Sequence, residues 1–149
     1  MPTTSATAVT SSATAVWEGK LRDGRGQFNG KSGVVRGAYS FSTRFEGAKG
    51  TNPEELIAAA HASCLSMALS AELEKAGTPA TRITTNASAT IDKAGAGFRI
   101  TRIRLEVRGE VPGVDQAAFA KAAEAAKEGC PVSQALKGNI PFELDARLA

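Results

Sequence analysis

Histidine occurs once in this chain of 149 residues, cysteine twice, and aromatic residues make up only 5%. Each scarcity excludes something. Two cysteines in this length fall far short of a disulfide scaffold, and a chain this long buries enough core to fold without one. One histidine and two cysteines also fall short of the four ligands of a structural zinc site, so a metal module would need a carboxylate or a second subunit. Sparse aromatics leave little for stacking nucleic-acid bases. Lysines and arginines are interspersed with acidic residues, the net charge is +3 and the pI is near 9.1, so no basic patch for nucleic acid stands out. No apolar run reaches the ~20 residues of a membrane span. Residues 1–14 lack the charged start and apolar middle of a signal peptide and the arginines of a transit peptide. They are expected to form a flexible tail ahead of one domain over residues 15–149. A cytoplasmic protein with no nucleic-acid or membrane partner is the expectation. In that compartment two thiols point to catalysis or metal rather than to structure.

What is present is a patterned α+β chain. Ala15 to Arg22 alternates and predicts a strand, with Gly24-Arg25-Gly26 as the turn after it. A second strand is expected through Gln27–Asn29 or Val34–Arg36. Tyr39, Phe41, Thr43 and Phe45 alternate with polar residues and predict a third. A long helix then begins: Asn52 can cap it, Pro53 suits its first position, and Glu54 and Glu55 sit in the positive first turn. Gly77 stops it. From Leu56 to Leu69 this helix is apolar or small nearly all round, so it should be buried on most sides. A small domain has difficulty covering ~24 helical residues, or ~36 Å. The helix is therefore expected to pack against its own copy in a homodimer. Thr81–Ile91 and Phe98–Val111 read as strands, with a bulge near Thr101-Arg102. Asp115 can cap a second helix, Gly129 ends it, and Pro131 opens a third. Ile140 to Ala146 alternates as a last strand. The predicted order is β-β-β-α-β-β-α-α-β, an α+β fold with mostly antiparallel sheet.

The two cysteines sit in unlike settings. Cys130 precedes Pro131 at a helix start, where the dipole favours a thiolate, or it is simply a small capping residue. Cys64 lies about three turns inside the long helix, beyond the reach of that dipole. A buried thiol there has a raised pKa and is inert unless a cation reaches it. His61 is three residues away. An arginine would serve better because it stays charged when partly desolvated, and Arg44 is a candidate, with Arg22 and Arg25 behind it. Each of these has an ordinary structural reading too: an exposed strand arginine, or first-turn acids that complement the dipole.

Arg44-Phe45-Glu46-Gly47, Gly50-Thr51-Asn52-Pro53-Glu54-Glu55-Leu56, Ala59-Ala60-His61-Ala62-Ser63-Cys64 and Gly129-Cys130-Pro131-Val132-Ser133 together resemble the OsmC branch of the OsmC/Ohr family of thiol peroxidases. The resemblance extends over nearly everything after Val16. It implies an intertwined homodimer with long central helices, and a reducing activity toward organic hydroperoxides and more weakly hydrogen peroxide, in stress defence. Carried over position by position, Cys64 matches the peroxidatic cysteine, Cys130 the resolving one, Glu54 the glutamate of the Asn-Pro-Glu motif and Arg44 the catalytic arginine. The Ohr branch takes its arginine from an earlier turn, here Leu21-Arg22-Asp23-Gly24-Arg25. No cofactor or metal is implied. The reductant would be an external dithiol, with a lipoyl-type dithiol one candidate. Leu65, Met67 and the Phe41/Phe45 segment could line an apolar approach for alkyl hydroperoxides.

Helix geometry adds a constraint of its own. Ten helical residues span ~15 Å and end ~80° off a common face, so Glu54 and Cys64 cannot share one site in one straight helix. Either the helix breaks or Glu54 comes from the partner subunit. Two other readings stay open: a non-catalytic dimer holding a lipid-like ligand, and a structural zinc module using His61, Cys64 and Cys130.

Overall fold

The computed structural model describes residues 6–149. Contacts divide the chain into two units, one running to Asn52 and the other Pro53–Ala149, and each is described by itself. Part of the expected tail, residues 1–5, lies outside the described residues.

The first unit is an antiparallel sheet of β1 (Ala13–Glu18), β2 (Arg25–Gly30) and β3 (Arg36–Tyr39), in that order. Trp17 pairs with Gly26, and Gly26 with Tyr39. The Trp17 and Tyr39 rings close over the glycine with centroids 5.6 Å apart. Any side chain at Gly26 would meet both rings, which explains a glycine in the middle of a strand.

The strand predicted through Phe41, Thr43 and Phe45 is instead a short helix, α1 (Phe41–Phe45). Both halves of a capping box fix it. Thr43 N–H donates to Ser40 Oγ at 3.3 Å, and Ser40 N–H donates to Thr43 Oγ1 at 2.9 Å. Phe41 and Phe45 are four residues apart, a spacing that puts them on one face of a strand and also of a helix turn. Their rings meet at 5.0 Å. The side chain of Asn52 donates to the Thr43 carbonyl at 3.0 Å.

The second unit opens with the expected long helix, α2 (Pro53–Lys75), and Gly77 follows with φ of +80°. A mixed sheet comes next, ordered β4 (Arg82–Ala94), β5 (Gly97–Glu110), β6 (Phe142–Leu148). The β4–β5 hairpin is antiparallel. Thr90 pairs with Arg102 and Ile91 with Ile100, so Thr101 is the extra residue of the predicted bulge. The β5–β6 pair is parallel, from Ile103↔Phe142 to Gly109↔Leu148. A parallel pair needs a long crossover, supplied by α3 (Gln116–Gly129) and α4 (Pro131–Leu136). Asp115 caps α3 by accepting from Ala118 N–H at 2.8 Å.

The core of this unit joins one face of each element. Ile103, Leu105 and Val107 alternate inward from β5, Phe119, Ala123 and Ala126 come from α3, and Leu65, Leu69 and Leu73 from α2. Helix α2 does not become buried on most sides within its own chain. Only Glu54, His61, Leu65, Leu69 and Leu73 are covered, and Met67 is 77% exposed. By length and composition alone α2 is apolar enough to cross a membrane, although no uninterrupted apolar run of that length exists in the sequence.

Gly109 sits under the Phe119 ring, and a Cβ there would collide with it. Gly109→Ala should therefore destabilise the fold by about 1–3 kcal/mol through overpacking. Urea denaturation read by circular dichroism measures this; a midpoint equal to that of the unaltered protein would contradict the packing.

Candidate active site

Two helix ends and one helix middle meet at the cysteines. Cys130 ends α3, donating its N–H to the Ala126 carbonyl at 2.8 Å, and its own carbonyl accepts from Gln134 N–H at 2.9 Å as α4 begins. Pro131 at the first position of α4 loses no hydrogen bond, since that N–H has no helical partner. The backbone of Cys130 is thus tied on both sides, and its side chain is fully buried. Cys64 comes from the middle of α2 and is half-buried. The two sulfurs stand 2.7 Å apart and both thiols are free.

The surroundings treat the two sulfurs differently. Burial pushes the Cys64 thiol up, its hydrogen bond to Cys130 pushes it further, and the Val132 N–H acts the other way. At Cys130 burial also opposes ionisation. It is outweighed by Cys64 together with the polar groups of Val132 and Ser133, so that thiol is lowered. Of the two, Cys130 gives up its proton more readily within this unit.

His61, three residues before Cys64, is fully buried. Its Nε2 lies 2.7 Å from Ser133 Oγ, and its ring meets the Phe142 ring edge-on at 5.0 Å. Burial lowers its pKa. His61 is therefore no cationic neighbour for Cys64. Sequence reasoning missed Ser133 as a site residue. Its place three residues after Cys130, one helical turn on, was the available signal; nothing local tied it to His61. Among the described residues no group of three or more His, Cys, Asp or Glu side chains could hold a metal ion.

Glu54 is buried in the first turn of α2, at 5% exposure. Since α2 runs unbroken, Glu54 and Cys64 are about 15 Å apart along its axis. Arg44 belongs to the first unit. It lies in the last turn of α1, with its guanidinium 5.2 Å from the centre of the Phe45 ring, rather than on a strand. Arg22 lies 4.5 Å over the Phe41 ring. Arg44, Phe41, Phe45, Trp17, Leu21 and Tyr39 line a cleft of about 240 Å³ within this unit. Leu65 lines no approach, because it is fully buried in the core of the second unit.

Residues 46–145 match the family model described as OsmC-like protein. Peroxiredoxin OsmC of Escherichia coli (strain K12) is 52% identical over 130 residues, covering 87% of this chain and 91% of that protein. An organic hydroperoxide resistance protein of Xanthomonas axonopodis pv. citri (strain 306) is 36% identical over 100 residues, 66% of this chain and 68% of its own. Among solved structures, an organic hydroperoxide resistance protein from Elizabethkingia anophelis superposes with a TM-score of 0.79 at 27% identity, over 97% of this chain and 100% of its own.

The buried, neutral His61 makes stability depend on pH. Its folded pKa lies below the ordinary 6.5. Between the two values the unfolded chain binds more protons, so stability rises with pH there. This contribution is complete above about 6.5 and is lost as pH falls below it. His61→Leu should flatten that acid-side slope. Urea midpoints measured between about pH 5 and 8 test it, and an unchanged slope would contradict it.

Proposed function

The chain belongs to the OsmC-like family, and we propose that it is a thiol-dependent peroxidase reducing organic hydroperoxides to alcohols, with Cys64 as nucleophile and Cys130 as its resolving partner. The observation that carries the division of roles is a difference in access. The sulfurs are in contact, yet Cys64 is half-exposed and Cys130 is sealed. An incoming peroxide meets Cys64 first.

The chemistry follows in three balanced steps. The Cys64 thiolate attacks the terminal oxygen of RO–OH, the O–O bond breaks, and the leaving alkoxide takes a proton to become ROH. Cys64 is now a sulfenic acid. The Cys130 sulfur then attacks the Cys64 sulfur. The S–O bond breaks, hydroxide leaves with the Cys130 proton as water, and a disulfide forms. With the sulfurs already at 2.7 Å, little movement is needed to close a bond of about 2.05 Å. An external dithiol restores both thiols by exchange.

Cys64 needs help to ionise, because its local environment raises its pKa. We assign that help to Arg44, which would hold the thiolate and donate to the developing alkoxide. Glu54 would orient the guanidinium through paired hydrogen bonds. As α2 is unbroken, Glu54 is assigned to the site of the partner subunit.

A homodimer is part of this reading. What supports it is the exposed, small and apolar face of α2, with Ala59, Ala60, Ser63, Met67 and Ala71 open to solvent in a single chain. Small residues allow a second helix to approach closely. A dithiol is the proposed reductant, and the cytoplasm, a reducing compartment, the proposed location.

Two experiments test the reading. Turnover of cumene hydroperoxide with a dithiol should vanish in Cys64→Ser and fall about 100-fold in Arg44→Ala; turnover that survives Cys64→Ser would refute the assignment. Sedimentation should show a dimer that Met67→Glu converts to monomer, and a monomeric unaltered protein would refute the shared site.

A further inference from the structure

One buried polar contact takes no part in the proposed chemistry. His61 Nε2 lies 2.7 Å from Ser133 Oγ inside the second unit, and both residues are at most 1% exposed. Each stands one helical turn from a cysteine. His61 precedes Cys64 by three residues on α2, and Ser133 follows Cys130 by three at the start of α4. The order is reversed between the two pairs, as it is between antiparallel helices. The two helices are thus joined at two neighbouring points, His61 to Ser133 and Cys64 to Cys130, with the sulfurs 2.7 Å apart.

The two joints differ in strength. A thiol is a weak donor and its sulfur a weak acceptor, so the reduced cysteines hold each other poorly. A hydrogen bond between imidazole and hydroxyl is stronger, and burial of both partners strengthens it further. Backbone bonds at Cys130 tie α4 to α3. Toward α2 there is less to hold it. Helix α4 has six residues, and Ser133 is the only one that is buried; Leu136 is partly buried against the core. The imidazole has no substitute partner. Its Nδ1 makes no hydrogen bond among the described residues, and the Phe142 ring meets it edge-on at 5.0 Å. Without the Ser133 hydroxyl, His61 would have both nitrogens unpaired in the core, a state that buried polar groups avoid.

We propose that His61 and Ser133 are positioning residues for the resolving half-reaction: their hydrogen bond holds α4 against α2 in the register that keeps the two sulfurs in contact. This rests on the reading of Cys64 and Cys130 as the redox pair. In closure the Cys130 sulfur displaces hydroxide from the Cys64 sulfenic acid, and the hydroxide leaves as water with the Cys130 proton. Neither His61 nor Ser133 exchanges a proton in that step. From 2.7 Å the sulfurs approach by only ~0.6 Å to reach a bond of about 2.05 Å, a movement that a hydrogen bond one turn away can follow. The joint therefore persists in both redox states, and what it supplies is a high effective concentration of one thiol for the other.

Closure is followed by rapid quenching after one equivalent of cumene hydroperoxide, with the Cys64 sulfenic acid trapped by dimedone and the linked Cys64–Cys130 peptide measured by mass spectrometry. In Ser133→Ala closure should slow about 10-fold, the weight of one buried hydrogen bond, while the sulfenic acid forms at the unaltered rate. His61→Leu should behave alike. The double variant should close no more slowly than the slower single one, because both single substitutions remove the same bond. Equilibration with glutathione should show the same loss as an about tenfold lower effective concentration of the thiols, a disulfide potential about 30 mV less negative. Gly109→Ala, which disturbs the packing at the other end of α3, should leave closure and potential unchanged. Unaltered closure in Ser133→Ala, single effects that add in the double variant, or equal slowing in Gly109→Ala would overturn the proposal and leave the peroxidase reading intact. Absence of any trapped sulfenic acid at Cys64, in the unaltered protein and in Cys130→Ser, would overturn the peroxidase reading itself.

Discussion

The rotation of α2 about its own axis is the constraint on which the site depends. His61, Leu65, Leu69 and Leu73 follow one another at four-residue steps and are all buried, so they fix the face that α2 turns inward. Cys64 is one residue before Leu65, about 100° around the helix. It therefore falls at the edge of the buried stripe rather than in its centre. A single-residue slip would bury Cys64 completely or turn it to solvent, and in either case the 2.7 Å contact with Cys130 would be lost. Cys130 is fixed independently, by two helix ends that share it as cap. The pairing of a rotation-locked thiol with a doubly capped one lets two distant residues meet without a bond between them.

The same packing separates the sulfurs electrically. Cys64 lies in mid-helix, where backbone donors are already used in the ladder, so burial dominates and raises its pKa. Cys130 stands where α4 begins, and Cys64 together with the polar groups of Val132 and Ser133 in that turn outweighs burial and lowers its pKa. The more ionisable thiol is thus the sealed one. That suits a resolving role, in which a thiolate must attack a neighbour and later leave. On the proposed reading, Cys64 as nucleophile needs a cation supplied by another segment, the role assigned to Arg44.

Much of this was legible in the sequence where a local rule applied. Asn52-Pro53-Glu54-Glu55 marked the start of α2 and Gly77 its end; the phase shift at Thr101 marked a bulge; Asp115 marked a cap. Local rules failed where two periods coincide. Phe41 and Phe45 satisfy both the strand and the helix repeat, and the capping box between Ser40 and Thr43 settled the matter. The parallel pairing of β6 could not be read either, since partner choice depends on where the crossover packs. The contact of His61 with Ser133 joins residues 72 positions apart, and neither carries a local sign of it. His61 looked like a cation for Cys64 from its spacing, and burial makes it neutral instead.

The central claim is that Cys64 and Cys130 of one chain form the working redox pair. Peptide mass spectrometry of the protein oxidised by one equivalent of an alkyl hydroperoxide, digested without reduction, tests it directly. The account predicts a single linked peptide joining Cys64 to Cys130, formed equally at high dilution. A free Cys130 beside a Cys64 carrying two or three added oxygens, or a link whose yield falls with dilution, would contradict it.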